Sequence, residues 1–380
     1  MSREDLIARI RAEVAAGLDA GAMLSVYADP ARRRTLHERV RHAARVELTD
    51  AEVASLAADL FGFGPIQPLL DDPSVTDVLV NAADEIYTER DGALERAAAT
   101  FASVAQVTEL AHRIAAGVGR ELTLERPFVD ARMRDGSRAN AVIAPVGGPN
   151  LSIRKFSHLS LPLRGSGRSW VSDGALTAQA ADVLAEAVAA RANILIAGAT
   201  GAGKSTLLRS LAAEIAADER IVVIEDTNEL VLPHPHVVHL EGQAGRESPI
   251  VIADLVANAL RMRPDRIIVG EVRTPREASA LLDALTTGHE GSLTTAHAGS
   301  AAGAIDRLEL LLARAGDVAT SAIRGHVLSA FDLVVHVTRS GRARVISEIA
   351  VVEDRALRSL YTRSVPEVGS LPSRLRRRLP

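Results

Sequence analysis

"NILIAGATGAGKSTLLRSL" spans residues 193–211. An apolar run, ILIAG, leads into a glycine-rich turn, and KSTLLRSLAAEIA leads out with the apolar spacing of a helix. Between strand and helix, Gly198, Gly203, Lys204 and Ser205 satisfy G-x-x-x-x-G-K-[ST]. The glycines permit backbone angles at which successive N–H groups converge on an anion, and the helix N-terminus adds a positive field end. Lys204 and Lys155 are the only lysines, and every other permanently charged base is arginine. A compact ammonium suits a tight loop in which a planar guanidinium would not replace it well. The pattern predicts that Lys204 meets the β and γ phosphates of a nucleotide and that the Ser205 hydroxyl ligates Mg²⁺. GTP is disfavoured, because neither lysine lies in the N-K-x-D arrangement that reads guanine.

Outward from this stretch, NILIAGA, RIVVIED, RIIVGEV, SLTTAH and LVVHVT read as strands alternating with helices. Each is a continuous Val/Ile/Leu-rich run, as in strands buried on both faces, so an α/β domain with a mostly parallel sheet is expected over 172–360. In such a sheet the C-terminal strand ends converge above the phosphate loop. Glu225 and Asp226 close one strand, Glu271 follows Gly270 after another, and His297 follows a third. Carboxylates there hold Mg²⁺ through water or orient an attacking water, which singles out Glu225 and Glu271. Pairing with nearby arginines such as Arg273 is the ordinary alternative. His297, a strand-end histidine, reads either as a phosphate sensor or as a neutral packing residue. His289 lies eight residues earlier, and no third ligand at suitable spacing makes a zinc site.

Before this domain, residues 1–62 read as helices, with Asp50 a candidate cap, and residues 63–157 as a small α+β domain. Its strands are VTDVLVN, EIYTER, FVDARMR, RANAVIAP and LSIRKF, with turns at Asp91-Gly92 and Asp135-Gly136 and a helix over SVAQVTELAHRIAAGVG. SHLSLPLRGSGRS supplies an expected linker over 158–171, and PSRLRRRLP closes a basic tail over 361–380, expected to be solvated or to meet a membrane surface or partner.

Composition limits the function. A net charge of −4 argues against a generally basic nucleic-acid-coating protein, and 3% aromatics against a base-stacking platform. The absence of cysteine excludes disulfides and zinc–cysteine modules. The charged opening MSREDLIARIRAEV predicts no signal peptide, and no uncharged apolar run reaches membrane-spanning length.

Four boxes now stand in order: GATGAGKST, RIVVIEDTNEL, ALRMRPDRIIVGEVR and TGHEGSLTTAHA. With FGFGPIQPLLDDPSVTDVLVN, VDARMRDGSRANAVIAP and LSIRKF before them, the chain resembles the secretion ATPases of the type II/type IV superfamily, over about residues 60–355. The nearest branch looks like the CpaF-like ATPases of Tad (Flp) pilus assembly. The resemblance implies a RecA-like motor domain, a hexameric ring, and nucleotide held between the two domains. By that resemblance Gly198, Thr200, Gly201, Gly203, Lys204, Ser205 and Thr206 bind Mg·ATP. Glu271 is then the catalytic glutamate, Glu225 a supporting acid, and His297, with His289 behind it, a phosphate sensor. Arg132, Arg138 and Arg154 are expected to close on the phosphates, with Arg261, Arg263 and Arg273 as alternatives. The implied partner is an inner-membrane platform protein, and the implied location the cytoplasmic face of that membrane. No direct nucleic-acid contact is expected, although a conjugation or DNA-translocation motor of the same superfamily is the alternative. The segment after HVVHLEGQAGRESP is shorter and less basic than the resemblance leads one to expect.

Overall fold

The structure, a computed structural model, describes residues 3–379 except 16–23, 25–26, 28, 47, 91, 134, 156–160, 244–248, 317, 342 and 366. The Asp91 turn position, the start of the expected linker and the core of the GQAGRESP segment fall outside the described residues. The chain parts into two compact units, Met1–Ser157 and His158–Pro380.

In the first unit, helices Arg3–Ala15, Pro30–Ala44 and Asp50–Phe61 share an apolar cluster around Ile10, Val40, Leu56 and Phe61. The Asp50–Phe61 helix is capped by Thr49, not Asp50: Glu52 N–H donates to Thr49 Oγ1 at 3.3 Å, and Thr49 N–H donates back to Glu52 Oε2 at 2.8 Å. Asp50 is already inside the first turn, where its charge suits the helix dipole. Six antiparallel strands follow: β1 (Val75–Ala82), β2 (Glu85–Arg90), β3 (Ala93–Arg96), β4 (Phe128–Arg132), β5 (Arg138–Val142) and β6 (Asn150–Arg154), in the order β3-β2-β1-β6-β5-β4. The helix Val104–Gly117, capped by Ser103, buries Val107, Leu110 and Ile114 in a cluster with inward residues of β1, β2, β4, β5 and β6. At the β4–β5 turn, Gly136 has φ 85°, and Asp135 accepts from Ser137 N–H at 3.0 Å. Such an Asx turn fixes the hairpin.

The second unit is built on β7 (Ile194–Ala197), β8 (Ile221–Glu225), β9 (Val237–Glu241), β10 (Arg266–Val269), β11 (Leu293–Ala296), β12 (Leu333–Ser340), β13 (Ala343–Glu353) and β14 (Ala356–Thr362). Their order is β14-β13-β12-β7-β11-β10-β8-β9. The six strands β12, β7, β11, β10, β8 and β9 are parallel, and β13 and β14 add an antiparallel edge. Every residue of β7, β8, β10 and β11 is buried, which is why β7, β8 and β10 read as runs rich in Ile, Val and Leu, whereas β11 buries Thr294 and Thr295. Apolar clusters lie on both faces of the sheet. This is the α/β motor fold expected from the alternation, with its mostly parallel sheet.

Two features differ from expectation. Leu161, Leu163 and Trp170, from the stretch expected as a linker, are buried in the core of the second unit. Trp170 Nε1 donates to Ser210 Oγ at 2.8 Å, tying this stretch to the helix that follows the phosphate loop. The basic C-terminal segment is likewise packed rather than solvated. Leu371 and Leu375 are buried, Arg374 pairs with Asp332 and donates to Val352 O at 2.7 Å, and Arg378 meets Glu290 at 3.0 Å. Leu375 is buried from the short helix Ser373–Arg376 and Leu371 from the residues before it, while the arginines turn their charged heads to Asp332 and Glu290.

Candidate active site

The register of the parallel strands places the candidate residues along one edge of the sheet. Ala296 of β11 pairs with Ala197 of β7, and Val269 of β10 pairs with Thr294 of β11 and Ile224 of β8. The residues that follow these strand ends are Gly198, His297, Gly270-Glu271 and, closing β8 itself, Glu225. Four separate sequence segments are thus gathered within neighbouring strands.

The loop over 198–203 turns sharply into the helix Lys204–Ala212. A Cβ on Gly198 would lie 2.5 Å from Val337 O, so the strand-to-loop turn excludes a side chain there. Gly203, at φ 107°, stands at the N-cap and offers no side-chain cap. The first helical N–H groups therefore lack the partner that Ser, Thr or Asp supplies elsewhere in this chain. Lys204 is buried, and its ammonium donates to the carbonyls of Gly198 and Ala199 at 3.1 and 3.2 Å. Burial lowers its pKa, while Glu271 works in the opposite direction. An uncapped helix end, a glycine cradle and a buried ammonium form a cation-rich concavity that fits a polyphosphate. Ser205 and Thr200 are exposed and Thr206 half-buried around it.

Lys204 Nζ also lies 3.3 Å from His297 Nδ1, and His297 Nε2 lies 2.6 Å from Glu271 Oε1. The second contact is short but not aligned as a hydrogen bond. On its other side, Glu271 Oε2 accepts from Arg273 Nη2 at 2.7 Å, and Arg273 Nη1 reaches Asp226 at 3.5 Å. An ammonium can only donate, so Nδ1 accepts and the imidazole proton sits on Nε2, facing the carboxylate. Burial, with Lys204 and the nearby arginines, holds the His297 pKa below its ordinary value against the pull of Glu271. The Glu271 side chain as a whole keeps 17% exposure, while its Oε1 is buried.

Glu225 is engaged differently. Its oxygens accept from the N–H groups of Glu229, at 3.1 and 3.2 Å, and Leu230, at 3.1 Å. Burial pushes its pKa up to about 7 in spite of those amide donors. A Cβ on Gly270 would lie 2.8 Å from Glu225 Cγ, so Gly270 gives this side chain its room. In this arrangement Glu225 anchors the loop after β8. Among the described residues no group of three His, Asp or Glu could hold a metal ion.

His289 is not brought to the loop. It precedes β11 while His297 follows it, and a strand of four residues separates them by roughly 13 Å. Its neighbourhood belongs to the opposite edge of the sheet, where Ser292 Oγ donates to His289 O at 2.9 Å. Arg261 and Arg263 follow the helix Ile252–Ala259 and are exposed, and Arg261 Nη1 bonds Ala257 O at 2.9 Å.

In the first unit, Arg132, Arg138 and Arg154 do come together. Arg132 pairs with Arg138 across β4–β5, Arg138 with Arg154 across β5–β6, and Arg154 with Asp77 across β6–β1. Directly paired residues share a sheet face, so three cations stand in one lateral row that ends on a carboxylate. Arg154 Nε meets Asp77 at 3.3 Å.

Sequence reading missed two neighbours of the phosphate loop. A Cβ on Gly201 would lie 3.4 Å from Arg339 Nη2, and one on Gly203 would lie 3.1 Å from Arg344 Cδ. Arg339 and Arg344 are cross-strand partners at the β12–β13 turn. The only signal for them was the pairing register of that hairpin.

The sequence pattern of the family described as Type II/IV secretion system protein matches residues 59–376. A putative conjugal transfer protein of Mycobacterium tuberculosis is 38% identical over 322 residues, covering 80% of this chain and 90% of its own. The type IV secretion system protein VirB11 of Brucella suis is 32% identical over 333 residues, covering 79% and 92%. Among solved structures, the ATPase DotB of Legionella pneumophila superposes with a TM-score of 0.56 at 24% identity, over 76% of this chain and 80% of that one, which is a likeness of fold.

Proposed function

This chain belongs to the type II/IV secretion system protein family and is an ATPase, and from that premise we propose that it is the ring-forming motor of a type IV secretion or conjugal-transfer machine. The observation that carries the catalytic part is the chain of contacts Lys204–His297–Glu271–Arg273 beside an uncapped helix N-terminus. Lys204 and the loop amides bind the phosphates. Glu271, held in orientation by Arg273 on one oxygen and facing His297 with the other, accepts a proton from the attacking water. His297 stays neutral and links the phosphate-binding lysine to the catalytic carboxylate. Mg·ATP, when bound, supplies the phosphoanhydride bond and the divalent charge that neutralises its oxygens. The arginine row of β4–β6 is assigned to the nucleotide phosphates as a further source of positive charge.

The names of the relatives favour the conjugal-transfer reading over the Tad pilus branch suggested by the sequence boxes. Both readings need the same motor, and a hexamer at the inner face of the membrane, acting on a platform protein, serves either. No described helix is long and apolar enough to cross a membrane, which is compatible with peripheral attachment. Charge contacts to the terminal phosphate would favour one conformation of the subunit, and hydrolysis would withdraw that preference. The experiment is ATP turnover against oligomer size, with Arg132→Ala subunits mixed into wild type. A fall steeper than the mutant fraction supports a cooperating ring, and a strictly proportional fall contradicts it.

A further inference from the structure

The strand β12 runs parallel to β7 and outlasts it. His336 pairs with Ala197, the last residue of β7, so residues 337–340 continue beside the phosphate loop. The loop lies against this overhang and against the strand that returns from it. A Cβ on Gly198 would lie 2.5 Å from Val337 O, one on Gly201 3.4 Å from Arg339 Nη2, and one on Gly203 3.1 Å from Arg344 Cδ. Arg339 and Arg344 stand directly opposite each other across β12–β13. Arg339 is exposed and Arg344 half-buried, so neither side chain is sealed from solvent.

Like charges placed opposite one another on paired strands repel. The local sequence adds no acid to offset them: none occurs between Asp332 and Glu348, while VTRSGRARV, residues 337–345, carries three arginines. Cations gathered here, beside an uncapped helix end and a buried ammonium, match an anion. The sheet order says which part of a nucleotide they would meet. β7 lies between β11 and β12. His297 follows β11 and Glu271 follows β10, on one flank of the loop. The hairpin stands on the other flank, with β12 two strand spacings, or roughly 10 Å, from β11.

On the reading of residues 198–203 as a nucleotide phosphate loop, we infer that Arg339 and Arg344 hold the α-phosphate of the bound nucleotide. Its terminal phosphate faces Glu271 on the far flank, so the α-phosphate and the nucleoside extend to the hairpin side. A guanidinium presents a planar fork of donors that matches a phosphate edge. ADP and ATP share the α-phosphate, so these arginines govern the retention of both, whereas Glu271 acts on cleavage.

The test is calorimetric titration of the full chain with Mg·ADP and with two analogues, one carrying sulphur on its α-phosphate and one on its β-phosphate. The wild type is expected to bind Mg·ADP. Arg339→Gln and Arg344→Gln should each weaken that binding at least about tenfold, the scale of one charge-assisted hydrogen bond. In both variants the change of affinity caused by α-sulphur should shrink relative to the wild type, while that caused by β-sulphur, on the phosphate assigned to Lys204, should stay. A hairpin that only props the loop would alter both sulphur effects alike. That outcome, or unaltered ADP affinity in both variants, would overturn the inference and leave the phosphate loop standing. Should Arg344→Gln fail to fold, Arg339→Gln, at an exposed position, carries the same test. A wild type that binds no Mg·ADP would remove the phosphate-loop reading itself, and this assignment with it.

Discussion

His297 Nε2 stands 2.6 Å from Glu271 Oε1 while its Nδ1 lies 3.3 Å from the ammonium of Lys204. One imidazole therefore connects the group that binds phosphate to the group that handles water. The arrangement works with a neutral ring, because a protonated Nδ1 would face a cation.

The first prediction concerns pH. Burial depresses the His297 pKa, so the neutral ring persists to below the ordinary value of about 6.5 and is lost only on further acidification. Turnover at saturating ATP should hold from pH 8 down to about 6.5 and fall below that. His297→Gln, which cannot protonate, should have lower turnover but no such acid limb. An unchanged acid limb in the variant would assign the titration to another group.

A second prediction concerns stability. Glu225 has its pKa raised to about 7 in the fold, above the ordinary 4.5. An acid with a higher folded than unfolded pKa binds its proton more tightly in the fold. Its stabilising share is complete below about 4.5 and is lost as pH rises through about 7, on the order of 3 kcal/mol at 1.36 kcal/mol per pH unit. Urea midpoints of the wild type should decline from pH 5 to pH 8 relative to Glu225→Gln. Parallel midpoints would show that Glu225 is ionised throughout.

Much of this site was legible in the sequence because a tight phosphate loop leaves little choice of residue. Gly198 has no room for a Cβ, and the spacing to Lys204 follows from the turn. Strand ends were legible because the buried parallel strands β7, β8 and β10 are rich in Ile, Val and Leu. The β13–β14 hairpin was not, since its turn uses Asp354 and Arg355 at φ 51° and 58° in place of the usual glycine. Arg266 was invisible for another reason. Buried arginines are rare, and only the fold reveals this one bound to Glu219 at 2.7 Å through both Nε and Nη2.

That pair yields a third prediction. Arg266 also donates to Val188 O at 3.0 Å and Gly291 O at 3.3 Å, and a Cβ on Gly291 would lie 2.1 Å from its Nη1. Arg266→Met strands a carboxylate already close to Arg191 at 2.6 Å and should cost about 3–5 kcal/mol of folding stability. Denaturant midpoints measure this. A loss under about 1 kcal/mol would mean that Arg191 and solvent suffice for Glu219.

A fourth prediction addresses the arginine row. If Arg132, Arg138 and Arg154 supply charge to the phosphates, Arg132→Ala should lower turnover by as much as about 10³-fold, the lower end for a transition-state arginine. Arg138→Ala and Arg154→Ala should lower it in the same direction. Equal and small effects at all three positions would reduce the row to a surface feature.

The most direct measurement is the ATP affinity and single-turnover rate of Glu271→Gln beside the wild type. The account predicts affinity within about threefold and hydrolysis slower by at least about 10²-fold, since the lost group acts on water and not on phosphate binding. Hydrolysis at the wild-type rate, with Glu271 absent, would contradict it.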